Sequence, residues 1–119
     1  MKIFIKIIFF LFVAVFISLQ NVKANEKIQI GLLIPLTGEY AEIGQSIIKS
    51  IRLAINKIDS SLIEIIPRDT ASNPEITLRG AKELHELGIK LVIGPVFNKN
   101  LIYLEELNDI IFLSLTNTV

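Results

Sequence analysis

The stretch Ile28–Gly44, Ile-Gln-Ile-Gly-Leu-Leu-Ile-Pro-Leu-Thr-Gly-Glu-Tyr-Ala-Glu-Ile-Gly, limits what this chain can fold into more than any other. Ile28 to Ile34 is a short apolar run rich in β-branched residues and closed by Pro35. Such a run fits a strand covered on both faces, as in a parallel sheet. Pro35 cannot continue a hydrogen-bonded ladder, and Gly38 permits a turn that a Cβ would hinder. Beyond it Ile43, Ile47, Ile48, Ile51, Ile55 and Ile58 recur at helical spacing, which predicts a helix with one apolar face to lay on the sheet. Strand, loop and amphipathic helix in that order make the first half of a βαβ unit.

The pattern then repeats. Asp59-Ser60-Ser61 is a polar break, and Leu62 to Ile66 reads as a second strand stopped by Pro67. Arg68 to Asn73 is a loop of turn formers. Asn73-Pro74-Glu75 is a helix start, with a capping amide, proline at the first helical position and an acid in the first turn. This second helix should run to about Leu87, with Thr77, Ala81, Leu84 and Leu87 inward and Gly88 as a left-handed cap. Lys90 to Ile93 is the third strand. Asn98 should cap a short third helix with Leu101, Leu104 and Leu107 inward, and Ile110 to Leu113 is the fourth strand. The alternation predicts an α/β fold: a three-layer α/β/α unit with a parallel sheet and right-handed crossovers. Ligands of open α/β sheets bind outside the carboxyl ends of the strands. The loops there, Pro35–Tyr40, Arg68–Asn73, Gly94–Asn98 and Ser114–Thr118, carry hydroxyls, amides or glycine, but no catalytic set.

The N-terminus obeys a different rule. Lys2 and Lys6 begin it, the apolar run Ile7 to Leu19 follows, and Val22-Lys23-Ala24 places small residues at a signal peptidase's spacing. That run is short for a membrane span of about 20 residues. Residues 1–24 are expected to be a secretory signal peptide cleaved after Ala24, and 25–119 the folded domain. Removing Lys2, Lys6 and Lys23 takes a chain of net charge zero to three negative charges. Nothing in that balance suggests nucleic acid or an acidic membrane as a partner. The chain has no cysteine, which excludes disulfides, thiolate metal sites, a cysteine nucleophile and a lipid anchor on cysteine. A soluble product in the periplasm, with no stable membrane insertion after cleavage, is expected.

Other function classes find little support. Gly38 to Ser46 lacks both the spacing and the lysine of a phosphate-binding loop. His85 is the only histidine, and beside Leu84 and Glu86 it reads as a solvated helix residue. No metal site and no cofactor are expected. Asp69, at a strand's carboxyl end, could be a general base, but with no nucleophile nearby it reads as an acid that anchors loops. Tyr40 and Phe97 could wall a pocket, or Tyr40 could lid the first helix.

Ile30 to Gly38 with Tyr40 and Gly44, then Asp69 with Asn73-Pro74, then Leu91-Val92-Ile93-Gly94-Pro95, together resemble type I periplasmic binding proteins of the leucine/isoleucine/valine-binding group. The likeness extends over Ile28 to about Thr118. Pro67-Arg68-Asp69-Thr70, Gly94-Pro95-Val96-Phe97 and Ser114-Leu115-Thr116-Asn117 also resemble penicillin-binding protein activators, which share the fold and regulate peptidoglycan synthases. The resemblance implies the first lobe of a two-lobed, hinged protein that clamps a small ligand without chemistry. It implies a periplasmic solute-binding protein of a branched-chain amino acid-type ABC transport system, not an enzyme. The alternative it implies is an activator-like regulator of peptidoglycan synthesis. Implied partners are an amino acid-like small molecule and either a transporter permease or a cell-wall synthase. By resemblance Asn98 matches a position that holds the ligand's carboxylate, and Thr116 and Thr118 match positions that hold its carboxylate and amino group. Thr37 and Gly38 should lie beside them. The family has Ser or Thr where Asn98 stands, and Phe97 is bulky. Such proteins are several times longer than this chain, so it reads as an incomplete first lobe.

Overall fold

A computed structural model describes residues 1–18 and 26–116 of the chain. The elements are α1 (Lys2–Ser18), β1 (Ile28–Ile34), α2 (Ala41–Lys57), β2 (Ile63–Asp69), α3 (Pro74–Glu86), β3 (Leu91–Ile93) and β4 (Ile111–Leu113). The four strands form one parallel sheet in the order β2-β1-β3-β4. The expected α/β fold with a parallel sheet is thus present. Helix α1 stands exposed at its first residues, and no helix among the described residues is long and apolar enough to cross a membrane. Cleavage after Ala24 falls outside the described residues.

Alternation along the strands sends side chains to two helices. Leu33 and Val92 point to one face, where they join Ala81 and Leu84 of α3, with Ile89, Leu104 and Ile110 completing the core. On the other face Ile48 and Ile51 of α2 meet Ile65 and Pro67 of β2. Leu32 and Ile34 are fully buried. The isoleucine stripe of α2 is only half covered: Ile47, Ile48, Ile51 and Ile55 are partly buried, whereas Ile43 and Ile58 are exposed. The β3–β4 half of this face is barer, with Ile111 64% exposed and an apolar groove of about 550 Å³ beside Ile93 and Leu115.

Three local expectations change. The second strand does not stop at Pro67 but runs through it to Asp69. Ile28 donates to the Leu62 carbonyl at 2.6 Å and Thr70 donates to that of Ile34 at 2.9 Å, so even-numbered residues of β2 turn their backbone toward β1. Pro67 therefore points its nitrogen away from β1, to a side where no strand pairs among the described residues, and no ladder bond is lost. The expected third helix is two short 3₁₀ segments, Asn98–Leu101 and Leu104–Glu106. Its apolar residues Leu101, Leu104 and Leu107 recur every third residue, which is the 3₁₀ period and drifts around an α-helix. Phe97, not Asn98, is the residue before its first turn, and Asn98 makes no capping bond there.

Leu87, expected inward, is 52% exposed, because α3 ends one residue earlier. The chain closes there with N–H groups of Gly88 and Ile89 donating to the carbonyls of His85 (2.9 Å) and Leu84 (3.1 Å). That is the paired terminus of a helix turned by a left-handed residue, and Gly88 has φ +80. Ile89 rather than Leu87 then enters the core beside Leu84. At the other end Asn73 caps α3 as expected, its Oδ1 accepting from the N–H of Glu75 (2.9 Å) and Ile76 (3.0 Å).

Candidate functional site

The strand order decides where a ligand can sit. The chain leaves β1 for β2 on one side, then crosses β1 to place β3 on the other, so the direction of winding reverses between β1 and β3. The loops leaving the carboxyl ends of those two strands diverge and open a crevice. The sequence supplies residues 35–40 to one wall and 94–98 to the other.

Asp69, at the end of β2, holds the first loop. Its Oδ1 accepts from the backbone N–H of Leu36 (2.8 Å), Thr37 (3.3 Å) and Ala71 (2.8 Å), and its Oδ2 from the Thr37 hydroxyl (2.6 Å). Burial pushes the Asp69 carboxyl up, but the Thr37 hydroxyl and the N–H groups of Leu36, Ala71 and Thr37 outweigh it and hold the group below its ordinary value. The carboxylate is therefore a fixed anion that ties the β1 loop to the β2 loop. It is an anchor, as the sequence suggested, with its acceptor sites occupied by this chain's own donors. A polar cavity of about 320 Å³ opens beside it toward α3, where Arg68 is paired with Glu83 at 2.7 Å.

The loop is pinned again at α2. A Cβ on Gly44 would overlap the carbonyl of Pro35, so only glycine lets the helix start this close to the strand end. Gly38 lies between these anchors with φ +83, where a side chain would be strained although space is open around it.

The second wall is bound to β4. Gly94 donates to the Leu113 carbonyl (2.8 Å) and Leu115 to that of Pro95 (3.0 Å), and Asn100 donates to that of Phe97 (3.0 Å). The walls meet through Tyr40 and Phe97, whose ring centroids are 4.8 Å apart with planes inclined at 55°. Nothing in the spacing of Tyr40 and Phe97 announced this contact. It exists because the sheet brings β1 and β3 side by side.

The residues singled out from sequence distribute as follows. Thr37 and Gly38 lie on the β1 wall, with the Thr37 hydroxyl committed to Asp69. Asn98 lies on the β3 wall and is exposed. Thr116 follows Leu115 in the segment after β4, with its N–H donating to Ser114 Oγ at 3.3 Å. Thr118 lies outside the described residues. Asn100 was not singled out, yet its side chain is fully buried with neither amide atom hydrogen-bonded to this chain.

His85 is far from this edge. At the end of α3 its Nε2 lies 2.9 Å from Asp109 Oδ2, which also accepts from Lys90 at 2.7 Å. The lysine and then the histidine draw the Asp109 carboxyl down to about 2. These are exposed partners that tie the amino edge of the sheet together. Among the described residues no group of three or more His, Asp or Glu is placed to hold a metal ion.

Comparison with known proteins follows the same geometry. A family described as periplasmic binding protein matches residues 27–115. No curated protein sequence matches the chain. Among solved structures, the solute binding protein of an ABC transporter from Rhodopseudomonas palustris BisB5, in complex with 3,4-dihydroxy benzoic acid, superposes with a TM-score of 0.63 at 29% identity, over 68% of this chain and 24% of that one. Full-length LpoA from Haemophilus influenzae superposes with a TM-score of 0.64 at 26% identity, over 85% of this chain and 19% of that one. The chain thus spans about a quarter of the length of the first structure and just under a fifth of the second.

Proposed function

Because the chain belongs to the periplasmic binding protein family, we propose that it builds one wall of a cleft that holds a small organic solute for an ABC transporter. The observation that carries this reading is the crevice between β1 and β3. Its loops are held from behind by Asp69 and Gly44 and they present amides and hydroxyls, with the Thr37 hydroxyl engaged in the clamp on Asp69. Such a site binds and orients without chemistry. Thr37, Gly38, Asn98 and Thr116 are the proposed ligand contacts, with Thr118 the further one suggested by sequence. An amino acid such as leucine and an aromatic acid like the ligand of the transporter protein are both candidate solutes.

Residues 1–24 are proposed to act as the export signal, which would deliver 25–119 to the periplasm. The basic start and apolar helix α1 support this. A second reading is favoured by the broader overlap with LpoA, 85% of this chain against 68%. In that reading the same lobe serves a regulator of peptidoglycan synthesis, and its partner is a cell-wall synthase in place of a permease.

The test is an amide NMR titration of the purified chain against a set of small organic acids and amino acids. One wall of a cleft gives weak binding, and NMR reads millimolar affinities. Shifts confined to residues 37–40, 94–98 and 114–116 are expected. Shifts elsewhere, or none with any solute while a peptidoglycan synthase co-purifies with the chain, would replace the solute-binding reading with the second one.

A further inference from the structure

The two outer strands of the sheet, β2 and β4, end it in different ways. The outer side of β2 is blunted: Pro67 turns a nitrogen without a hydrogen to it, and Glu64 and Arg68 put charges along the strand. The β4 side has none of these devices. Residues 110–116 contain no charge and no proline.

The backbone of β4 is half used. Ile111 donates to the Lys90 carbonyl (2.8 Å), the Leu113 carbonyl accepts from Gly94 (2.8 Å), and Leu115 donates to the Pro95 carbonyl (3.0 Å). Odd-numbered residues thus turn their backbone toward β3. Alternation turns the N–H and C=O of Phe112 and Ser114 outward, where no strand pairs among the described residues. Side chains alternate too. Leu113 lies level with Ile93 in the register and shares its face, the one that α2 half covers, and Ile111 and Leu115 follow it there. They are 64%, 50% and 44% exposed for Ile111, Leu113 and Leu115. On the opposite face an open groove of about 420 Å³ borders the same strand, walled by Leu101, Leu104, Leu107, Ile110 and Phe112.

We infer that β4 is a docking edge for a second copy of this chain, paired antiparallel about a two-fold axis through Leu113. The register follows from the free groups. Phe112 of one copy lies opposite Ser114 of the other, and each such pair exchanges two backbone hydrogen bonds, four in all. The same register sets Leu113 against Leu113 and Ile111 against Leu115, so every exposed apolar residue of the strand meets another. Phe112 of each copy comes diagonally beside its counterpart at the groove on the other face. A strand that completes itself in this way needs no other partner, and the interface is the same patch on both copies. Covering these side chains and the groove walls buries about 1,000 Å² in total, the lower end for a specific, reversible dimer. The pairing is independent of what the crevice between β1 and β3 holds.

Sedimentation of the purified chain from about 1 µM to about 1 mM should show a reversible monomer–dimer equilibrium. Ser114→Pro removes an N–H that bonds nothing in the single copy and two of the four bonds in the pair, so it should weaken the dimer at least about tenfold. Leu113→Lys sets two like charges on the axis and should leave monomer throughout. Circular dichroism checks that each variant folds, and either serves if the other does not. Register is read by crosslinking, since the chain has no cysteine of its own. Leu113→Cys places two thiols on residues with Cα atoms about 4.5 Å apart, within disulfide reach, and should oxidise to a dimer. Ile111→Cys places its two about 14 Å apart and should not. A monomer at every concentration would overturn the inference. So would crosslinking of Ile111→Cys as readily as Leu113→Cys, or association unchanged by both Ser114→Pro and Leu113→Lys, which would assign it to the exposed helix α1 instead.

Discussion

Replacing Asp69 with asparagine isolates the charge of one group while keeping its shape. In the folded protein the carboxylate accepts four hydrogen bonds, from three backbone N–H groups and the Thr37 hydroxyl. Hydrogen bonds to a charged group contribute about 1.5–3 kcal/mol each, against about 0.5–1.5 for neutral ones. Losing the charge on all four amounts nominally to about 4 kcal/mol. The cluster is partly open to solvent, and screening removes about half of such a gain, leaving roughly 2 kcal/mol. With a urea m-value of about 2 kcal/mol per molar, the Asp69→Asn midpoint should fall by about 1 M. Circular dichroism in urea measures this directly.

The same substitution should change the pH dependence. The Asp69 carboxyl is held below its ordinary value in the fold, so its contribution is fully present above the unfolded value, near 3.9, and is lost as pH falls through the lower folded value. The gap between wild type and Asp69→Asn should therefore be constant from about pH 7 to 5 and close progressively below pH 4. Equal midpoints at pH 7, or a gap that does not narrow in acid, would refute the view of Asp69 as a charged clamp.

Other substitutions probe the remaining supports. Asn73→Ala removes the cap of α3 and should cost about 1 kcal/mol, read as a lower urea midpoint with an unchanged slope. Gly44→Ala drives a Cβ into the Pro35 carbonyl and should destabilise by about 1–3 kcal/mol, measured as a lower thermal midpoint. Asp109 should titrate near 2 when followed by carboxyl NMR, and Lys90→Met should move it up toward the ordinary carboxylate range. N-terminal sequencing of the exported protein should begin at Asn25, and a product that keeps Met1 would remove the proposal of a cleaved signal.

What local sequence determines here are the elements themselves. The apolar run Gly31–Ile34 makes the carboxyl half of β1 buried, since burial on both faces of a sheet needs no polar alternation. Asn73-Pro74-Glu75 starts α3, because the cap, the proline and the acid all act within one turn. The isoleucine spacing makes α2 a helix, but how much of its stripe is covered depends on what lies over the sheet, and half of that face is bare.

The rest depends on groups far apart in the chain. Pro67 reads as a stop until β2 is known to lie at the outer side of β1, where a missing N–H costs nothing. Leu101, Leu104 and Leu107 look like one side of a helix, yet their spacing of three suits 3₁₀ turns once they dock on the core of α3. Asp69 and Thr37 lie 32 residues apart, and only the pairing of Ile34 with Asp69 in the parallel register joins their loops. The crevice itself is a property of strand order. Sequence placed Thr37, Gly38, Asn98 and Thr116 at strand ends, but the sheet's reversal between β1 and β3 decided that Tyr40 and Phe97 meet across it. Short-range chemistry sets each helix and strand because its hydrogen bonds and side-chain period are local. Which loop faces which is set by burial of the whole sheet, a sum over residues that no single stretch contains.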